Sequence, residues 1–289
     1  MQLTGHRKDL GGGFLVSRLL PSVACRAVGP FVFVDLFGPT VIPPAMNIDV
    51  RPHPHIGLAT VSYLFEGALM HRDSLGSVQR IDPGAINWMS AGRGIVHSER
   101  TPEDLRDTSR PLHGLQLWVA LPQALEESGP AFQHTSAEHL PRTTLPGAQA
   151  RVLVGEAFGE RSPVGTASPT LLVDLQLASA SVCELPALAE EVGLLPIDAD
   201  LEIDGQRVPR GALVILGAGE GARLRGGRGE RVIALGGQRL DGPRHLWWNF
   251  VSSSKERIRQ AAEDWRMQRF DRVPGETEFI PGPEYDPER

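Results

Sequence analysis

Between residues 30 and 119 the apolar positions fall in short runs, and each run is closed by a turn signal. Pro30-Phe31-Val32-Phe33-Val34-Asp35-Leu36-Phe37 is rich in β-branched and aromatic residues, which predicts a buried strand stopped by Gly38-Pro39. Residues 57–65 predict a second strand, turned by Glu66-Gly67, and residues 68–73 run back. Ser74-Leu75-Gly76 turns the chain into residues 77–81, and Asp82-Pro83-Gly84 turns it again before Ala85-Ile86-Asn87-Trp88-Met89. Residues 112–119 close the unit. Short strands at this spacing, with turn residues between them, predict an antiparallel sandwich or barrel.

From residue 122 to 146 the pattern loosens and reads as exposed connection, which places a boundary near residue 140. Beyond it, residues 150–156, 170–177, 182–185, 191–200, 213–216 and 232–235 again read as strands. Asp82-Pro83-Gly84-Ala85-Ile86-Asn87-Trp88 resembles Val208-Pro209-Arg210-Gly211-Ala212-Leu213-Val214 in order and character, which implies a repeat of two similar β units. The period then changes. Ser254 precedes a stretch with Ile258, Ala261, Ala262 and Trp265 on one face, Glu256 in its first turn and Arg266 in its last. These are the marks of a capped amphipathic helix. Its apolar face reads as packing surface, and Pro274, Pro281, Pro283 and Pro287 predict an extended tail. The expected organisation is a first unit over 1–140 and a second over 141–289 that ends in the helix and tail.

Composition supports this picture. The chain has 289 residues, 41% of them hydrophobic, with 32 Gly and 24 Pro, as expected of many short strands joined by turns. A net charge of −6 argues against nucleic acid or an anionic membrane as a partner bound through bulk charge. Cys25 and Cys183 lie far apart with no C-x-x-C, which argues against a disulfide scaffold and a thiolate metal site. Gly11-Gly12-Gly13 lacks the lysine and serine of a phosphate loop and reads as a turn before a strand. With no leader pattern and no long apolar run, the expectation is a soluble cytoplasmic protein with no export signal.

The candidate chemistry lies between Arg51 and Arg100. His53-Pro54-His55 and His97-Ser98-Glu99 each set two potential ligands one residue apart, and on a strand both members of such a pair share a face. If the strands between them fold back, three imidazoles and a carboxylate meet on one metal. Such a mixed N/O set, without thiolate, suits Fe, Mn, Ni, Cu or Zn. The competing account makes His53-Pro54-His55 a polar loop and leaves His97 and Glu99 on an exposed strand edge. Residues 143–240 contain no histidine, so the second β unit has no matching set.

Several segments are similar to the pirin family of the cupin superfamily. They are Pro52-His53-Pro54-His55-x-Gly57, Tyr63-Leu64-Phe65-Glu66-Gly67, Pro83-Gly84, Trp88-Met89-x-Ala91-Gly92-Arg93-Gly94-Ile95-Val96-His97-Ser98-Glu99 and His113-Gly114-Leu115-Gln116-Leu117-Trp118-Val119. The resemblance implies a bicupin of two jelly-roll-like β-barrels with one metal ion, usually iron as Fe(II), in the N-terminal barrel. The implied ligands are His53, His55, His97 and Glu99. It also implies quercetin 2,3-dioxygenase activity on a flavonol and O₂, or a non-catalytic role as a metal-dependent regulator of a protein partner. Many members read Arg-Gly-Phe-Glu-Thr-Val after the histidine pair, where this chain has Ile56-Gly57-Leu58-Ala59-Thr60-Val61. Ala59 would then leave the site short of a carboxylate.

Four protein ligands on a metal that favours six leave about two open positions for a bidentate flavonol, or for substrate and O₂. Glu99 is expected chiefly as a ligand, with a base role as the lesser reading. Strand alternation admits at most one of His113 and Gln116 to the cavity. Trp88 and Met89 are candidates for the pocket lining or for plain barrel core, the latter being favoured for either alone.

Overall fold

The computed structural model describes residues 1–9, 14–44 and 46–285. The expected Gly11-Gly12-Gly13 turn, Ala45 and the last part of the tail lie outside the described residues. The described chain is built almost wholly of β-strands, with one α-helix, Lys255–Arg266. The all-β expectation is met.

Two compact units are assembled from interleaved segments. One comprises Met1–Lys8, Val16–Leu36 and Ala137–Arg239; the other comprises Asp9–Leu15, Phe37–Ser136 and Leu240–Arg289. This division differs at both chain ends from consecutive units of 1–140 and 141–289. The physical reason is pairing and packing between residues distant in sequence. Gln2, Leu3 and Thr4 pair with Val214, Leu213 and Ala212, and Leu3 is buried there. The C-terminal helix packs Ile258, Ala261 and Trp265 into one core cluster with Ile56, Val96, Phe250 and Val273. A local reading of periodicity finds such elements but not their partners.

In the first unit a sheet runs in the order Gln2–Thr4, Ala212–Ile215, Glu191–Pro196, Arg231–Gly237, Thr170–Leu177, Ala148–Val154, Arg142–Leu145. A second sheet holds Val182–Leu185, Ala222–Arg225, Leu201–Ile203 and Gln206–Val208. Their inner faces share one core, in which Leu175, Leu194 and Val232 of the first sheet meet Cys183, Leu201 and Leu224 of the second. Alternation makes this possible: Ala148, Ala150 and Val152 point into the core, while Gln149 and Arg151 between them point away.

In the second unit Ala131–Thr135, Ile86–Ser90, Leu58–Glu66, Arg110–Ala120 and the residue 37–42 part of the Phe31–Ile42 strand lie side by side in that order within one sheet. The other is ordered Val50–His55, Ile95–Arg100, Leu69–Asp73, Val78–Ile81. The Phe31–Ile42 strand passes through Gly38-Pro39, which was expected to stop it. Gly38 has φ +75°, and any side chain there would run into the Leu112 carbonyl, so the strand bends at the glycine without ending.

The stretch expected as connection contains two strands. Ala131–Thr135 pairs with Ile86–Ser90, and Arg142–Leu145 pairs with Ala148–Val154. The repeat has a structural counterpart. Ala85 donates to the Asp82 carbonyl and Ala212 to that of Pro209, so the same turn leads into Ile86–Ser90 in one unit and Ala212–Ile215 in the other.

Candidate metal centre

The Ile95–Arg100 strand lies between Val50–His55 and Leu69–Asp73. Antiparallel register sets His97 directly across from His53 and Ile95 across from His55. The three imidazoles therefore meet, with ring centroids 4.4 Å apart for His53 and His97 and 5.0 Å for each of the other two pairs. Each ring offers a nitrogen to a group whose members all lie within 4.8 Å of one another. All three residues are buried, which excludes the polar-loop account of His53 and His55.

Hydrogen bonds outside the cluster fix which nitrogen faces inward. His53 Nδ1 lies 2.9 Å from the Arg51 carbonyl oxygen, and His55 Nδ1 lies 3.0 Å from that of Asn249. A carbonyl only accepts, so each Nδ1 carries the proton and each Nε2 keeps a lone pair. His55 Nε2 stands 3.1 Å from His97 Nε2. Burial holds His55 and His97 well below the ordinary imidazole range and brings His53 down to about 4. Three neutral rings, two of them with Nε2 lone pairs set by carbonyl acceptors on their outer nitrogens, are the kind of donor set a divalent transition metal requires. The residues fit such an ion.

Glu99 does not join the three histidines in that group. The strand shifts register between His97 and Glu99, setting Glu99 across from Val50 on one side and from His71 on the other. Its Oε1 accepts from Ser62 Oγ at 3.1 Å, and burial raises its carboxyl above the usual range. Ser62 also reaches Gln116 Oε1 at 3.0 Å, so Gln116 faces this side of the sheet. His113 lies against Phe65 instead, ring centroids 4.8 Å apart.

Register carries the polar row further. Gln116 is opposite Ser62, Ser62 opposite Asn87, and Asn87 opposite His134, whose Nδ1 donates to Asn87 Oδ1 at 2.7 Å. Met89 shares the face of Asn87 and packs with Ala91, Ile95 and Phe132. Trp88 points to the opposite face and donates to Ser90 Oγ at 3.2 Å. By the same alternation Ala59 lies on the strand face opposite Ser62. A carboxylate at 59 would point away from Glu99, so its absence does not leave the site short of a donor.

The backbone is shaped to hold this arrangement. Gly57, two residues after His55, has φ +67° and packs so closely on the Val251 carbonyl that a Cβ would overlap it. That contact, with the Val251 amide donating to the Ile56 carbonyl, seats the hairpin whose Asn249 carbonyl orients His55. Sequence reasoning missed Asn249, Ser62, His71 and Asp73. For the last pair a signal existed, because His71-Arg72-Asp73 is a third pair of potential ligands at alternate positions. No local pattern marks the other two.

Comparison with known proteins identifies the family and the fold. The pirin family model matches residues 13–119, and the model of the pirin C-terminal cupin domain matches residues 172–271. A "Pirin-like protein" of Caulobacter vibrioides is 44% identical over 284 residues, covering 96% of this chain and 97% of that protein. Human "Pirin" is 31% identical over 282 residues, covering 92% of this chain and 91% of that protein. A crystal structure of quercetin 2,3-dioxygenase from Acinetobacter baumannii superposes with a TM-score of 0.92 at 34% identity, covering 99% of this chain and 95% of that one. Matched by both pirin models and 44% identical over nearly its whole length to a pirin-like protein, this chain belongs to the pirin family.

Proposed function

We propose that this chain is a metal-dependent dioxygenase acting on a flavonol-like aromatic substrate with O₂, and that Glu99 completes the donor set of His53, His55 and His97. The observation that carries the reading is the convergence of three neutral, buried imidazoles. It is supported by similarity over nearly the full chain to a protein described as quercetin 2,3-dioxygenase.

Bound there, a divalent metal would supply Lewis acidity toward a substrate hydroxyl and coordination positions beyond those filled by protein. The protein's own part is positioning. The Arg51 and Asn249 carbonyls hold His53 and His55 in the tautomer that presents Nε2. Ser62 holds the Glu99 carboxylate by its Oε1. Trp118, edge-on to His55 with ring centroids 5.3 Å apart, and the buried Met89 give apolar surface that excludes water. Gln116 and Asn87 offer amide groups to the hydroxyls of a polyphenol.

Oxygen uptake by the Fe(II)-loaded protein with quercetin, beside the His97→Ala variant, tests the reading. Metal-dependent uptake that disappears in the variant is the expected result. Stoichiometric iron with no uptake would overturn the dioxygenase reading and favour a metal-binding regulator of a partner protein.

A further inference from the structure

We infer that His71 and Asp73 are positioning residues that fix the tautomer of His97 and thereby set the metal affinity of the centre. The inference rests on the three-histidine reading above. It starts from Asp73, which is fully buried. Its Oδ1 accepts from the backbone amides of Leu75 and Ser77, both at 3.0 Å. Its Oδ2 lies 2.9 Å from His71 Nε2. An ionised carboxylate only accepts, so His71 Nε2 carries a proton, and in the neutral ring Nδ1 is left as an acceptor. Phe132 stacks on the His71 ring at 4.3 Å, with planes 10° apart, and restricts its rotation.

His71 Nδ1 faces His97 Nδ1 at 3.5 Å, the outer limit of a hydrogen bond. With an acceptor there, the proton of His97 sits on Nδ1 and its Nε2 is bare, directed at His55 Nε2. With the opposite polarity, His97 Nδ1 would have to accept and its Nε2 would carry the proton, closing that position to a metal. Asp73 favours the open arrangement. His97 thus has a side-chain acceptor on its outer nitrogen, where His53 and His55 have backbone carbonyls.

Asp73→Asn offers a sharp test because the two amides dictate how asparagine must sit. They hold its carbonyl oxygen where Oδ1 now lies and turn its NH₂ toward His71 Nε2. His71 must then carry its proton on Nδ1, and the polarity of the relay reverses. The experiment titrates Zn(II) into wild type, Asp73→Asn, His71→Phe and the double variant, and records imidazole ¹⁵N spectra of the zinc-loaded proteins. Asp73→Asn is expected to weaken Zn(II) binding about 10- to 100-fold. His71→Phe should cost less, and adding Asp73→Asn to it should cost nothing further. Wild-type His71 should be protonated on Nε2.

Binding by Asp73→Asn within about twofold of wild type, or wild-type His71 protonated on Nδ1, would overturn the relay. So would an equal loss from Asp73→Asn whether or not His71 is present, because that pattern belongs to a purely structural turn. Wild type that binds neither Zn(II), Ni(II) nor Fe(II) would overturn the metal centre and the relay together.

Discussion

Glu276 accepts hydrogen bonds from Arg100 through two guanidinium nitrogens, and Arg100 follows Glu99 directly in sequence. The same carboxylate takes the Ser98 hydroxyl at 2.7 Å. On Ile95–Arg100, then, His97 and Glu99 alternate with residues clasped by the tail. Asp49 strengthens the clasp by accepting from the Thr101 amide and from Arg106. The arginine hydrogen bond holds the Glu276 carboxyl below its ordinary range.

Glu276→Ala should therefore destabilise the protein by about 2 kcal/mol, less than a fully buried pair because Glu278 and Asp49 remain near Arg100. The sign of the pH effect follows from the lowered carboxyl. The contribution is fully present above the unfolded value of 4.5 and is lost as pH falls through the lower folded value. Urea unfolding of both proteins between pH 3 and 7 checks this: their stability difference should be flat at neutral pH and should shrink below about pH 4.5.

His97→Ala removes the middle donor of the cluster while leaving its strand paired on both sides. Metal content by elemental analysis should fall to background, and the far-ultraviolet circular dichroism should match wild type. Metal content equal to wild type would contradict the ligand role of His97.

Trp265 fills the core cluster around Phe250 and donates from Nε1 to the Ile280 carbonyl at 3.0 Å. Trp265→Ala should cost about 3–5 kcal/mol by cavity formation and should also free the tail it anchors. Thermal unfolding gives the first effect, and limited proteolysis near Ile280 the second.

Ala59 is fully buried on the strand face opposite Ser62. Ala59→Glu is expected to leave flavonol turnover no higher and to lower stability by several kcal/mol, because the added carboxylate would have to be buried at a position that is 0% exposed. Turnover that rises, in a protein of unchanged stability, would show that the position communicates with the site.

Much of the fold was legible because its signals are local. The strands Thr170–Leu177 and Val182–Leu185 coincide with their apolar runs, and Ser254 caps the helix by accepting from the Arg257 amide as its position implied. The histidine pairs were legible through alternation alone. What escaped depends on partners far along the chain. Ala131–Thr135 is a polar strand made regular by pairing with Ile86–Ser90. Gln2–Thr4 joins a sheet whose other strands come much later in sequence. Asn249 enters the site through a backbone carbonyl, a group every residue carries, so no side-chain pattern could have announced it. The face on which Ala59 lies was readable from strand parity, once Ser62 was known to reach Glu99.

The interleaving of the two units also imposes an order on synthesis. Strand Val50–His55 and strand Ile95–Arg100 leave the ribosome early, but the Asn249 carbonyl and the Glu276 carboxylate that steady them belong to a segment made much later. The whole stretch Ala137–Arg239, which builds the other unit, is translated in between. At about 5–20 residues per second that interval lasts several seconds or more. During it a nascent chain carries three histidines without the supports of His55 and of the Ile95–Arg100 strand, so the cluster takes its final form only after residues 249 and 276 have emerged.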